Sequence, residues 1–141
     1  MMQKLLSPFS EWSYSLLRIV TGLMFSFHGM QKIFHWYMPP EYIPKAWTQM
    51  WFGGLIELVC GLLMAAGFLT RPAAFLASGT MAVAYTQFHW MSEKTGHILP
   101  GVNGGEPALV YAFLFLFFAC KGAGKWSVDG CREHKAEQPA S

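Results

Sequence analysis

Four long apolar segments dominate this chain of 141 residues and restrict the folds it can adopt. They cover about residues 12–34, 51–69, 72–90 and 107–121, with short polar connections between them. A helix needs roughly 20 apolar residues to cross a bilayer. Only 13% of the residues are charged, whereas soluble domains carry about 25%. The sequence therefore predicts an all-α integral membrane protein, a four-helix bundle with antiparallel up-down topology.

The distribution of lysine and arginine predicts the orientation of this bundle. Four spans place both termini on one side, together with Arg71 and the basic residues between positions 121 and 135. The opposite connections contain only Lys32, Lys45 and Lys94. Short cytoplasmic connections are enriched in Lys and Arg, so we predict that both termini are cytoplasmic. Residues 1–132 are expected to form one domain, and the polar residues 133–141 a disordered tail.

Charge and cysteine content exclude several other classes of protein. The net charge of +2 is too small for nucleic-acid binding, and no basic patch alternates with exposed aromatic residues. The three cysteines, Cys60, Cys120 and Cys131, form neither a C-x-x-C pair nor a metal-finger spacing. His28, Glu57 and His89 have the ligand types of a metal site, but no spacing marks one. No metal and no nucleic-acid partner is predicted.

Each apolar segment has one face of small and polar residues, which predicts the surfaces that pack together. Successive residues of a helix turn by about 100°, and small residues let helices approach closely in a membrane. Glycine, alanine and serine recur on these faces in all four segments. The larger polar side chains that share them are Arg18, His28, Lys32, Glu57, Tyr85, His89 and Tyr111.

The depth of five of these residues predicts a polar pocket that opens outward. At about 1.5 Å per residue, His28 and Glu57 lie roughly 9 Å below the outer ends of their segments. Tyr85 and Tyr111 lie at similar depth, and His89 lies nearer the surface. A carboxylate in hydrocarbon costs about 2.5–3.5 kcal/mol, so Glu57 is expected to be protonated or paired, with His28 as its first partner. We predict that all five residues bind a ligand.

A second set of polar residues is predicted to be structural or to gate the pocket. Its members are Arg18, Lys32, Asn103, Glu106 and Asp129. Arg18 lies deeper toward the cytoplasm, where it is expected to meet the turn that contains Asp129. Asn103 lies in a glycine-rich turn, and Glu106 before Pro107 has the pattern of a helix N-cap followed by the first helical residue.

Three stretches of the chain resemble the DoxX family of small bacterial membrane proteins. They are LRIVTGLMFSFHGMQKIF, GGLIELVCGLLMAAGFLTRPAA and NGGEPALVYAFLFLFFACKGAGKWSVDG, and together they cover most of residues 17–130. The resemblance implies a four-span, multi-pass bundle in the bacterial inner membrane. It also implies a redox role, because relatives are linked to thiosulfate oxidation with quinone reduction and to oxidative-stress defence. It assigns no catalytic residue.

Two functions are consistent with these features. In one, the protein is a subunit of a quinone-linked oxidoreductase and binds quinone, or a similar apolar ring, in the outward pocket, covered by the aromatic connection at 36–47. In the other, it is a non-catalytic assembly partner of a membrane or soluble oxidoreductase, and His28 and Glu57 only fix helix register. A third function, a small-molecule or proton pathway, ranks last because there is no inverted repeat. Either of the first two is compatible with a homo-oligomer in the lipid bilayer.

Overall fold

A computed structural model describes residues 2–93 and 96–136, and within these ranges the chain is helical and contains no strand. The all-α prediction is confirmed for this part of the chain. The helices are α1 (Met2–Leu6), α2 (Ser10–Phe34), α3 (Gln49–Ala66), α4 (Thr70–Ala84), α5 (Pro100–Asn103), α6 (Glu106–Lys121) and α7 (Val128–Ala136). Helix α4 continues as a π-helix over Tyr85–Trp90, and 3-10 turns occupy Ser7–Phe9 and Pro40–Tyr42. The four long helices begin and end within a few residues of the predicted segments.

Helices α2 and α3 pack through faces of glycine. Gly22 lies against Gly61, and Gly29 lies against Gly54 and Leu58. A Cβ atom at Gly29 would lie 2.3 Å from the backbone nitrogen of Leu58 and 2.6 Å from the carbonyl oxygen of Gly54. The two backbones therefore touch, which is the packing that small residues permit between helices in a membrane. This contact holds α2 and α3 in one register.

An aromatic core joins α6 to α2. The ring of Phe25 lies 4.7 Å from that of Phe115, and Tyr111 stacks on Phe115 with ring centroids 5.2 Å apart. Helix α4 also packs on α6, where the hydroxyl of Ser78 donates a hydrogen bond to the Ala112 carbonyl at 2.7 Å. Tyr111 is thus part of the core between helices.

The connection from α3 to α4 lies at residues 67–69, whereas the predicted segments 51–69 and 72–90 place it just before Pro72. Gly67 and Leu69 both have positive φ, and Thr70 begins α4. The prediction was wrong because Pro72 is tolerated in the first turn of a helix, where its missing N–H has no partner to lose. The Asp129 carboxylate accepts hydrogen bonds from the backbone N–H groups of Leu69 and Thr70 at 3.0 and 2.9 Å.

Helix α3 (Gln49–Ala66) is the one helix in the described ranges that is long and apolar enough by itself to cross a membrane. Helices α4 and α6 have 15 and 16 residues, fewer than the roughly 20 that a span needs. Large apolar side chains nevertheless project from the surfaces of the long helices, among them Leu23, Leu62, Phe75 and Phe113.

Two boundaries near the end of the chain differ from the predictions. Gly105 is the N-cap of α6, so Glu106 is the first helical residue and not the cap. The predicted disordered tail begins at residue 133, but residues 133–136 continue helix α7. Residues 137–141 lie outside the described part of the chain.

Candidate functional site

A cavity of about 420 Å³ lies between α3 and α4. Sites for small molecules have volumes of about 300–1,000 Å³ and are mostly apolar with a few polar groups. The charged or titratable side chains of this cavity are Lys32, Glu57 and His89. Most of the remaining wall is apolar and includes Met50, Phe52, Ile56, Met81, Val83 and Phe88. The cavity therefore has the composition of a site for an apolar ligand with at least one polar group.

Glu57 forms an ion pair with Lys32. Glu57 is a buried residue, 3% exposed as a whole, and its Oε1 atom lies 2.6 Å from Nζ of Lys32. Lys32 reaches this position because its aliphatic chain crosses Gly54, where a Cβ atom would lie 2.6 Å from Cβ of Lys32. The second oxygen of Glu57, Oε2, is buried and has no hydrogen-bond partner among the described residues. The site thus contains a paired charge with one unsatisfied acceptor.

The predicted pair of His28 and Glu57 is wrong, because His28 is exposed on α2. At about 100° per residue, His28 lies about 20° beyond Thr21, the last buried position on that side of the helix. Lys32 lies about 20° on the buried side of Thr21, and its longer side chain reaches back toward Glu57. His28 therefore does not belong to the cavity, and Lys32, predicted to be structural, does.

His89 reaches the cavity from the π-helical end of α4. Such segments contain a widened turn and occur frequently at functional sites. Nδ1 of His89 lies 3.2 Å from the carbonyl oxygen of Asn103, and Gly105 packs directly on its side chain. The Gln49 side chain, which lines the cavity, donates a hydrogen bond to the side-chain oxygen of Gln87 in the same π-helix. The loop before α6 and the start of α3 therefore both hold this segment.

Neither predicted tyrosine lines the cavity. Tyr85 is buried, and its hydroxyl donates a hydrogen bond to the carbonyl of Ile98, which ties α4 to the loop before α5. Tyr111 packs in the aromatic core described above. The aromatic connection at 36–47, predicted to cover the ligand, does not line the cavity either. Its Trp47 packs on Trp51 at a centroid distance of 5.2 Å.

Asn103 has a structural role in the turn that holds His89. Its side-chain amide donates to the His97 carbonyl at 2.6 Å and accepts from the Gly105 N–H at 2.7 Å. Glu106 is exposed at the start of α6 and does not line the cavity. In the described part of the chain, no three His, Cys, Asp or Glu side chains lie close enough together to hold a metal ion.

A second polar centre surrounds Arg18 at the opposite end of α2. Arg18 is fully buried, and its guanidinium donates to four backbone carbonyls, those of Met64, Ala65, Lys125 and Trp126. Two of these carbonyls belong to the last turn of α3, where unpaired acceptors and the helix dipole favour a cation. The predicted contact with the turn near Asp129 is thus made through carbonyl oxygens and not through the Asp129 carboxylate.

The Asp129 carboxylate instead caps helix α4. Burial raises the pKa of Asp129, but hydrogen bonds from the Thr70 and Leu69 amides and the charge of Arg132 outweigh it. The net effect lowers the pKa below the ordinary value of 3.8. At neutral pH the group is an anion at a helix N-terminus, which is a stabilising arrangement.

Comparisons with known proteins found a matching family model and similar sequences. A model of the DoxX family matches residues 13–90, which include Lys32, Glu57 and His89. The chain is similar to an uncharacterised protein of Haemophilus influenzae, with 35% identity over 133 residues that cover 88% of this chain and 93% of the relative. An uncharacterised membrane protein of Mycobacterium tuberculosis is 29% identical over 132 residues, covering 80% of this chain and 77% of the relative. No solved structure matches the chain significantly.

Proposed function

The chain is a membrane protein of the DoxX family, and from this premise we propose that it binds an apolar ring compound of the quinone type between α3 and α4. The observation that carries the proposal is the buried carboxylate of Glu57, with one oxygen on Lys32 and the other without a partner in the described residues. A buried acceptor without a hydrogen bond costs about 1–3 kcal/mol. A ligand that donates a hydrogen bond to Oε2 removes this cost.

The polar groups of the cavity favour a ligand that carries a hydroxyl group. An ionised carboxylate is an acceptor only, whereas the Lys32 ammonium has three donors, of which Glu57 uses one. A hydroxyl on an aromatic ring, as in a reduced quinone, donates to Oε2 and accepts from Nζ. A quinone carbonyl only accepts. His89 adds an imidazole ring to the lining of the cavity. These properties support a redox-linked subunit of a quinone-linked oxidoreductase.

We also propose a multi-pass topology in the bacterial inner membrane. Helices α2, α3, α4 with its π-helical continuation, and α6 would form an antiparallel four-helix bundle with both termini in the cytoplasm. The π-helix adds 6 residues to the 15 of α4, so the two together have the length of a membrane span. Apolar side chains at the surface, such as Phe75 and Phe113, support contact with lipid.

The binding proposal is tested by the quinone content of the purified protein. The full-length chain is extracted from its native membrane in mild detergent, and bound quinone, oxidised and reduced forms together, is measured per protein. We expect near-stoichiometric quinone in the wild type and loss of most of it in Glu57→Gln. His28→Ala and Glu106→Gln serve as controls that should keep it, because both residues are exposed and outside the cavity. Equal quinone in Glu57→Gln, or none in the wild type, contradicts the proposal.

The alternative function, a non-catalytic assembly partner of another oxidoreductase, is supported by one observation. The ion pair of Lys32 and Glu57 joins α2 to α3, so it would fix their register without any ligand. In this case the same preparation contains no quinone, and a second protein co-purifies reproducibly. The variant Glu57→Gln then lowers both the stability of this protein and the recovery of its partner.

A further inference from the structure

A wide basic groove lies at the end of the molecule that contains the α3–α4 turn, the end of α6 and the start of α7. Its volume is about 1,110 Å³. Four cations line it, Arg71, Lys121, Lys125 and Arg132. Only two carboxylates do so, Glu11 and Asp129. The lining therefore carries an excess of positive charge even when His134 is neutral.

Both carboxylates of the groove are already engaged. Glu11 pairs with Lys121, whose Nζ lies 2.8 Å from its Oε1 atom. Asp129 accepts hydrogen bonds from the backbone at the start of α4. Arg71 is occupied as well, because its guanidinium donates to the carbonyls at the end of α6. Lys125 and Arg132 are therefore the cations of the groove whose side chains make no hydrogen bond or ion pair among the described residues.

Lys125 and Arg132 have aromatic neighbours but no acidic partner in ion-pair contact among the residues that the structure describes. Nζ of Lys125 lies 5.1 Å from the ring centroid of Trp12, and the guanidinium of Arg132 lies 5.7 Å from that of Phe68. The charge of Arg132 acts on Asp129, but the two groups form no salt bridge. Both cations are exposed, so both can contact an anion in the groove.

The surroundings of the groove resemble a membrane interface. Trp12 and Trp126 pack edge to face with centroids 4.5 Å apart, and both are exposed. Tryptophan is enriched at the level of lipid headgroups. Beyond this pair, Leu16 on α2 and Phe75 on α4 expose apolar side chains. An amphipathic ligand with a charged head and apolar chains would contact both regions.

We propose that this groove binds the headgroup phosphate of an anionic phospholipid through Lys125 and Arg132. Free inorganic phosphate is also an anion, but it would leave the neighbouring apolar surface without a partner. A bound headgroup would join the loop after α6 to α7 through its two cations. Each basic residue near a lipid surface strengthens binding to anionic lipid by about fivefold.

The test uses the full-length protein in a neutral detergent. Native mass spectrometry measures binding of phosphatidylglycerol, of phosphatidylcholine, and of inorganic phosphate alone. We expect one phosphatidylglycerol to bind more tightly than phosphatidylcholine. The variant Lys125→Gln/Arg132→Gln should bind phosphatidylglycerol about tenfold or more weakly. The control Lys4→Gln/Lys45→Gln removes two charges outside the groove and should bind it as the wild type does.

Three results would overturn the inference. Equal binding of the two phospholipids would show that the headgroup charge is not recognised. Unchanged binding in Lys125→Gln/Arg132→Gln would place the lipid elsewhere. Tight binding of inorganic phosphate that displaces phosphatidylglycerol would show a site for the free anion. Neither substituted side chain is buried, so we expect the groove variant to fold. A circular-dichroism spectrum equal to that of the wild type checks this.

Discussion

Lys32 and Glu57 differ in their access to solvent, and this difference explains how the pair is tolerated. The Glu57 side chain is 4% exposed, while that of Lys32 is 25% exposed. Lys32 lies in the last turn of α2, where a cation is favoured by the helix dipole. Its long chain keeps the ammonium near the surface while it neutralises a carboxylate that lies deeper. The buried charge therefore depends on a single side chain from the neighbouring helix.

Removing only the lysine should be more harmful than removing both charges. Lys32→Met leaves Glu57 buried without a cation, and we expect the free energy of unfolding in detergent to fall by about 2 kcal/mol. The double variant Lys32→Met/Glu57→Gln should lose less than Lys32→Met alone. Reversible denaturation of the wild type, Lys32→Met, Glu57→Gln and the double variant measures this. Losses that simply add in the double variant would mean that the two groups do not interact.

Sequence reasoning identified that Glu57 needs a partner but chose the wrong one. An ideal projection places His28 and Lys32 about 40° apart on the same polar face, and the sequence does not show that the buried face ends between them. The position of Arg18 near the turn of residues 125–129 was predictable, because both lie toward the same end of the spans. The carbonyl groups that accept from Arg18 were not predictable, because the sequence does not show the backbone path of the loop after α6.

At the scale of elements, the glycine contact between α2 and α3 sets how closely the two helices pack. In Gly29→Ala the new methyl group would overlap the backbone of α3, so we expect a loss of about 2 kcal/mol in unfolding free energy. Gly53→Ala is the matched control on α3, because a Cβ atom there meets nothing within 4 Å. Its higher helix propensity should stabilise the protein by up to about 1 kcal/mol. Equal stability of the two variants would refute close contact at Gly29.

The cap on α4 should make part of the stability depend on pH. Because the pKa of Asp129 is lowered in the folded protein, its contribution is complete above the ordinary carboxyl pKa and is lost as the pH falls through the lower, folded-state pKa. Asp129→Asn should unfold more easily at pH 7 by about 1 kcal/mol. Unfolding measured between pH 7 and pH 3 should show the difference from wild type shrinking at acid pH. A constant difference would argue against the charged cap.

The bounds of the long helices were predictable because each is one continuous apolar run between polar or glycine-rich connections. The π-helix at Tyr85–Trp90 was not, since a widened turn leaves no periodic signal in six residues. In this π-helix the side-chain oxygen of Gln87 accepts a hydrogen bond from Gln49 at the start of α3. The sequence therefore predicts a polar pocket near Glu57. It does not predict the π-helix, which supplies Phe88 and His89 to the wall of the cavity.

At the scale of the molecule, the proposed topology predicts which cysteines are reachable from each side of the membrane. Cys120 and Cys131 are exposed and lie at the proposed cytoplasmic end, whereas Cys60 is buried. In intact spheroplasts, a membrane-impermeant maleimide should label neither Cys120 nor Cys131 until the membrane is opened. In the variant Lys45→Cys, the new thiol should be labelled from outside. Labelling of Cys131 in intact spheroplasts would show that the orientation is opposite to the proposed one.

The carbonyl contacts of Arg18 have a consequence for the way the protein is made. Two of its four acceptors, Lys125 and Trp126, follow it by 107 and 108 residues, so they are synthesised only after helix α6 (Glu106–Lys121). Until then the guanidinium lacks two of its four acceptors, although the finished fold buries it completely. A nascent or shortened chain is therefore chemically different from a finished one around Arg18 in helix α2.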